Sequence, residues 1–138
     1  MNVRINYAAV VVSAVLYFAL GAAWFTALSQ PWAKGAGFTP EQITAAKPQP
    51  LPFIGAFIAN LVLAYVLAWL VARTGETSAA RGAKLGALLW VGLVATTMGT
   101  ELAFEMRSLQ FFLITAGYPL VGLLLMGAIV GGWRKKVA

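Results

Sequence analysis

Thr97, Glu101 and Glu105 recur at every fourth position, so on a helix they stack along one face. A carboxylate beside a hydroxyl can hold a proton or a cationic solute, and an ionisable side chain inside an apolar helix is the kind of group that marks such a site. Two other segments offer polar atoms to the same space. Asn60 stands in an otherwise apolar run, and Thr115-Ala116-Gly117-Tyr118-Pro119 places proline where it removes a backbone donor and crowds the carbonyl of Thr115. A freed carbonyl beside Thr115 and Tyr118 is one way to make a buried polar site. The candidate binding set is therefore Asn60, Thr97, Glu101, Thr115 and Tyr118, lining an outward-facing cavity. The structural alternative for the carboxylates is an ion pair at the membrane surface, Glu105 with Arg107, with Glu101 and Lys34 alongside. Depth bears on the choice. Counted from Leu85, Glu101 lies about 24 Å and Glu105 about 30 Å along a core about 30 Å thick, so both are close enough to the far interface to snorkel.

The chain has no cysteine and no histidine, which removes disulfides, thiolate metal sites and the commonest general base and metal ligand. Glu41, Glu76, Glu101 and Glu105 are its only carboxylate side chains. No catalytic residue, metal site or cofactor is expected, and the glycines are spaced for helix packing rather than for a phosphate-binding loop.

The elements that must position these groups follow from hydropathy. With 61% hydrophobic and 10% charged residues in 138, a water-soluble core of this length could not hide the apolar surface, so lipid must be the solvent for much of it. Spans are expected at 5–28, 51–72, 84–104 and 110–133, each long enough to cross or nearly cross a core that needs about 20 helical residues. The alternation of a barrel strand is absent, so the predicted fold class is all-α, an integral membrane four-helix bundle forming one domain over 1–138. An uncleaved first span is expected, because it is longer than a leader's apolar region and carries Trp24 and Phe25 near the only leader-like cut, Ala27-Leu28-Ser29.

The net charge of +6 flanks the spans instead of forming a stripe for nucleic acid, and no nucleic-acid partner is expected. Arg4, Arg73, Arg81, Lys84, Arg134, Lys135 and Lys136 fall on one side, against Lys34, Lys47 and Arg107 on the other. That bias places both termini in the cytoplasm and the first and third connections outside, in a multi-pass protein.

The first connection carries a short interfacial helix. Thr39 is its N-cap, Pro40 its first residue and Gln42 completes a capping box, the helix running to about Lys47 before Pro48, Pro50 and Pro52. Trp32 and Phe38 seat the segment at headgroup level. Ala56, Asn60, Ala64, Ala68 and Ala72 form a ridge of small side chains. The pairs Gly82/Gly86 and Gly127/Gly131, with Gly92, Thr96 and Thr100, repeat the spacing. Such ridges let helices approach closely, within one chain or between copies of it.

Leu20-Gly21-Ala22-Ala23-Trp24-Phe25, Trp32 with Lys34, Leu89-Trp90, Thr96-Thr97, Phe104-Glu105-x-Arg107, Ala116-Gly117-Tyr118 and Met126-Gly127-Ala128-Ile129 follow one another in an order that resembles domain-of-unknown-function family 1761. The resemblance covers nearly the whole chain and implies a small four-helix bacterial membrane protein, with no activity attached. Glu105 and Arg107 fit the family's pattern. Glu101 and Thr115 stand where its members often carry Asn, and Pro119 where they carry a larger side chain, which marks Glu101 as a peculiarity of this chain. The reading that results is a non-enzymatic bundle in contact with membrane lipid and with copies of itself, binding or passing a small solute or proton. The alternative is an accessory subunit that packs against a partner through its small-residue faces.

Overall fold

The computed structural model describes residues 4–47, 49–75 and 78–133, so Pro48, Glu76, Arg134, Lys135 and Lys136 lie outside the described residues. The described chain is helical throughout, with no strand. Among the described residues, four helices are long and apolar enough to cross a membrane: Tyr7–Ala27, Pro50–Thr74, Ala79–Phe104 and Leu109–Gly132.

The first, α1 (Tyr7–Ala27), starts where the Asn6 side chain accepts from the Ala8 and Ala9 amides, satisfying donors that a helix start leaves open. After Leu28 the chain turns into α2 (Ser29–Ala36), a short helix absent from the sequence reading, which ends at Gly37 with φ 85°. That left-handed residue lets the Phe38 amide reach back to the Ala33 carbonyl at 2.9 Å, a closure that glycine makes without steric cost. The expected capping box is present on α3 (Pro40–Ala45): Thr39 Oγ1 accepts from Gln42 N at 3.2 Å, and Gln42 Oε1 accepts from Thr39 N at 2.9 Å. Its end at Ala45 precedes the expected Lys47.

The second span is α4 (Pro50–Thr74). The third comprises α5 (Ala79–Leu89), a wider π-wound turn over Trp90–Ala95 and α6 (Thr96–Phe104). It begins at Ala79 rather than at 84 because Ser78 Oγ accepts from Arg81 N at 3.2 Å, so the cap lies beyond the apolar run. The fourth span, α7 (Leu109–Gly132), runs through Pro119.

The spans do not form a symmetric square. Helix α7 lies in the middle, with α1 and α4 paired against one side of it and the third span against the other. The α5–α7 contact is backbone on backbone. A Cβ on Gly82 or Gly127 would overlap the other's carbonyl, one on Gly86 would overlap the carbonyl of Leu123, and one on Gly131 would come within 2.6 Å of the Ser78 carbonyl. Without Cβ atoms, dispersion between two backbones supplies the association that the hydrophobic effect cannot supply in lipid. These small-residue pairs are thus used within the chain.

The other seam buries Ala14, Ala64, Leu67, Val71 and Met126 almost completely. At that end of the bundle Asn6 Nδ2 donates to the Trp133 carbonyl at 3.1 Å, which puts the two ends of the described chain side by side. Ser78 sits against Gly131 there, so Arg4, Arg73, Arg81 and Lys84 gather at one face of the molecule.

Candidate functional site

In the half of the bundle remote from the termini, α1 and α4 part and leave a cleft of ≈ 860 Å³. Helix α2 folds back from α1 and sets Trp32 between the cleft and α7, where Trp32 packs on Phe38 at 5.8 Å and on Phe111 at 5.9 Å between ring centroids. Phe18, Phe25, Trp32 and Phe53 wall the cleft, Thr26 and Ser29 stand near its mouth, and Tyr118 closes its deep end. None of the lining side chains is charged.

The deep end is polar. Tyr118 stacks on Tyr17 with ring centroids 4.4 Å apart, and its hydroxyl donates to the Tyr17 carbonyl at 2.8 Å. The Tyr17 hydroxyl and the Asn60 side chain are the other polar groups beside that oxygen. Two glycines make the stack fit: a Cβ on Gly21 would come within 2.6 Å of Tyr118 Oη, and one on Gly122 would overlap the Tyr17 ring. Asn60 is 7% exposed and its Nδ2 has no hydrogen-bond partner; Ser13 Oγ and Thr115 Oγ1 are buried and unpartnered as well. Tyr17, Asn60 and Tyr118 each lie near the middle of a span, so these polar atoms sit where unmet hydrogen bonds cost most.

Toward the termini the packed seam of Met126, Leu67 and Val71 begins at once. The cleft is therefore blind.

The five residues expected to line one cavity divide in two. Tyr118 alone lines the cleft; Asn60 is buried behind it, beside the Tyr118 hydroxyl, and Thr115 lies one turn away on the same helix as Tyr118. Thr97 and Glu101 are exposed on α6, a helix that packs mainly on α7 through its other side. The Thr97 hydroxyl is taken by the Leu93 carbonyl, and Glu101 has no ion pair among the described residues. The Asn60 amide nitrogen is left without a hydrogen-bond partner among the described residues.

Glu105 and Arg107 form an ion pair at 3.4 Å, with both side chains well exposed, a geometry that contributes about 0–1 kcal/mol. Arg107 does more through its other contacts. Its guanidinium donates to the Ala36 carbonyl at 2.7 Å and lies 5.5 Å over the Phe111 ring, placing a cation at the negative end of α2. Ser108 Oγ donates to the Gly35 carbonyl and Gln110 Nε2 to the Pro31 carbonyl, so the third connection pins α2 and, through it, Trp32 at the mouth.

Sequence reasoning missed the two indoles. Trp24 Nε1 donates to the Ile114 carbonyl at 3.0 Å and Trp90 Nε1 to the Ala116 carbonyl at 2.8 Å. They bracket Thr115, the residue whose carbonyl Pro119 deprives of a donor. Trp24 and Trp90 look like interfacial anchors in the sequence; their N–H groups lying a helical turn or more inside the span ends were the available signal. Tyr17 and Ser13 carried no signal, being single polar atoms in an apolar run.

Residues 8–131 match the family described as Protein of unknown function (DUF1761). The chain belongs to that family. No curated protein and no solved structure matches it. Membership in DUF1761 agrees with the motifs read from the sequence, and leaves the cleft and its polar end as the features from which a role must be argued.

Proposed function

We propose that this DUF1761 protein is a non-enzymatic, multi-pass protein of the bacterial plasma membrane, with cytoplasmic termini, that binds a small membrane-dissolved molecule in the cleft between α1 and α4. The observation that carries this is an aromatic-walled space with the Tyr118 hydroxyl at its inner end and the unpartnered Asn60 amide buried behind it at mid-bundle. A mostly apolar cavity with a few convergent polar groups is the usual form of a small-molecule site, and ≈ 860 Å³ falls in the usual range for one. The filled seam beneath favours binding over continuous passage. Four basic side chains at the termini face support the orientation.

The test is to purify the protein in lipid nanodiscs, extract bound small molecules and compare their mass spectrum with that of Ala56→Trp, whose indole would fill the cleft from the α4 wall. A species enriched in the parent and depleted in the variant supports the reading. Identical extracts sink it.

One observation favours a second reading. The third span buries none of its apolar window, against 28–39% for the other three, and Gly92, Thr96, Thr100 and Glu101 lie exposed along it. This face would take a helix from another copy of the chain or from a larger partner, making the protein an accessory subunit. Stoichiometric co-purification of a second protein from a mild detergent, lost on Gly92→Leu, would support that role.

A further inference from the structure

We infer that the cleft is built for a neutral, ring-bearing molecule dissolved in the membrane that presents a carbonyl oxygen to Tyr118, the chemistry of a quinone. This rests on the binding role proposed above and adds the class of ligand. Neutrality follows from the walls, because a charged ligand in this half of the bundle would find no counter-charge among the residues that line the cleft. A ring follows from Phe18, Phe25, Trp32 and Phe53, which offer flat faces for offset or edge contacts that an acyl chain uses less well. An acyl chain of a phospholipid would also bring its terminal methyl to the deep end, against the Tyr118 hydroxyl, with no polar atom to offer it.

The acceptor follows from the hydrogen-bonding inventory at Tyr118. Its hydroxyl hydrogen now goes to the Tyr17 carbonyl at 2.8 Å, a carbonyl inside α1 that already serves the helix. Turning that hydrogen toward the cleft therefore costs little. Asn60 Nδ2 is a pure donor with no hydrogen-bond partner among the described residues, and the Asn60 side chain lies beside the same hydroxyl. The Asn60 amide nitrogen makes no bond to it in this arrangement, but an N–H turned to the tyrosine oxygen once the hydroxyl swings to a ligand would strengthen the tyrosine as a donor, so the hydroxyl then seeks an acceptor. Tyr118 is the contact residue and Asn60 a positioning residue behind it.

The experiment uses the full chain in detergent and titrates its unfolding temperature with decyl-1,4-benzoquinone and with decylbenzene, which shares the ring and chain but has no oxygen; a ligand that binds the folded state raises this temperature by an amount that grows with the logarithm of its concentration over its Kd. We expect a saturable rise with both, the quinone binding about tenfold more tightly, the worth of one well-made hydrogen bond. In Tyr118→Phe, which keeps the ring stack, the two probes should bind alike; Asn60→Leu should narrow the difference without removing it. Ala56→Trp, and Ala22→Trp from the opposite wall, should abolish the response to both probes while the unliganded protein still unfolds cooperatively. Equal affinities in the parent chain, unchanged by Tyr118→Phe, would overturn the carbonyl assignment and leave the cleft as a binding site. No response to either probe would overturn both.

Discussion

At the scale of single residues, the molecule holds polar groups where stability alone would not keep them. Asn60 Nδ2 is buried without a partner at mid-span, and a buried amide without its hydrogen bonds costs about 1–3 kcal/mol. Asn60→Leu is therefore expected to raise the unfolding temperature in detergent even as it weakens ligand binding, a trade of stability against use that is common at functional sites. A lower unfolding temperature would show that Asn60 serves packing. Trp90 is the opposite case, since its indole N–H meets the Ala116 carbonyl at 2.8 Å close to Pro119. Trp90→Phe keeps most of the ring and loses that bond, so a loss of about 1 kcal/mol is expected, measurable by reversible unfolding.

At the scale of elements, two junctions set the geometry. Where α5 meets α7, glycine backbones touch and no side chain could be accommodated without separating the helices. Gly127→Val should cost about 3 kcal/mol or more and release the third span, seen as new protease cleavage between α6 and α7. The same substitution at Gly55, where a Cβ would meet nothing within 4 Å, should leave the bundle intact and serves as the control. At the other junction, α2 is held by Arg107, Ser108 and Gln110 through three of its carbonyls. Because the chain has no cysteine, Thr26→Cys gives one reporter at the cleft mouth. Adding Arg107→Ala should free α2 and speed labelling of that cysteine severalfold, whereas Glu105→Ala, which removes only an exposed pair, should change it little.

At the scale of the whole molecule, the two ends of the described chain meet through Asn6 and Trp133, and basic side chains collect around them. Single cysteines placed beside Arg4 and after Trp133 should both be protected from an impermeant reagent in intact cells, while one at Lys34 should be labelled. Labelling at either terminus would reverse or break the assigned topology. The bundle is also lopsided: the first, second and fourth spans bury part of their surface in one another, and the third lies outside with its far face open. Glu101 belongs to that open face, so any role it has concerns lipid or a partner and not the cleft.

The sequence by itself determined the solvent, the number of spans, the charge bias and the local signals of helix ends, because each depends on residue type and near neighbours alone. Hydropathy over about 20 residues defines a span whatever it packs against, and the Thr39–Gln42 box closes within one turn. It also placed the glycine pairs on helix faces, though not which helix would meet which. Only the tertiary structure decided that Asn60 and Tyr17 gather beside Tyr118 while Thr97 and Glu101 face away, and that Trp24 and Trp90 turn inward to α7. Those outcomes depend on the rotation of each helix about its own axis. In lipid that rotation is set by close backbone approach and by a few hydrogen bonds between helices that are adjacent only once folded.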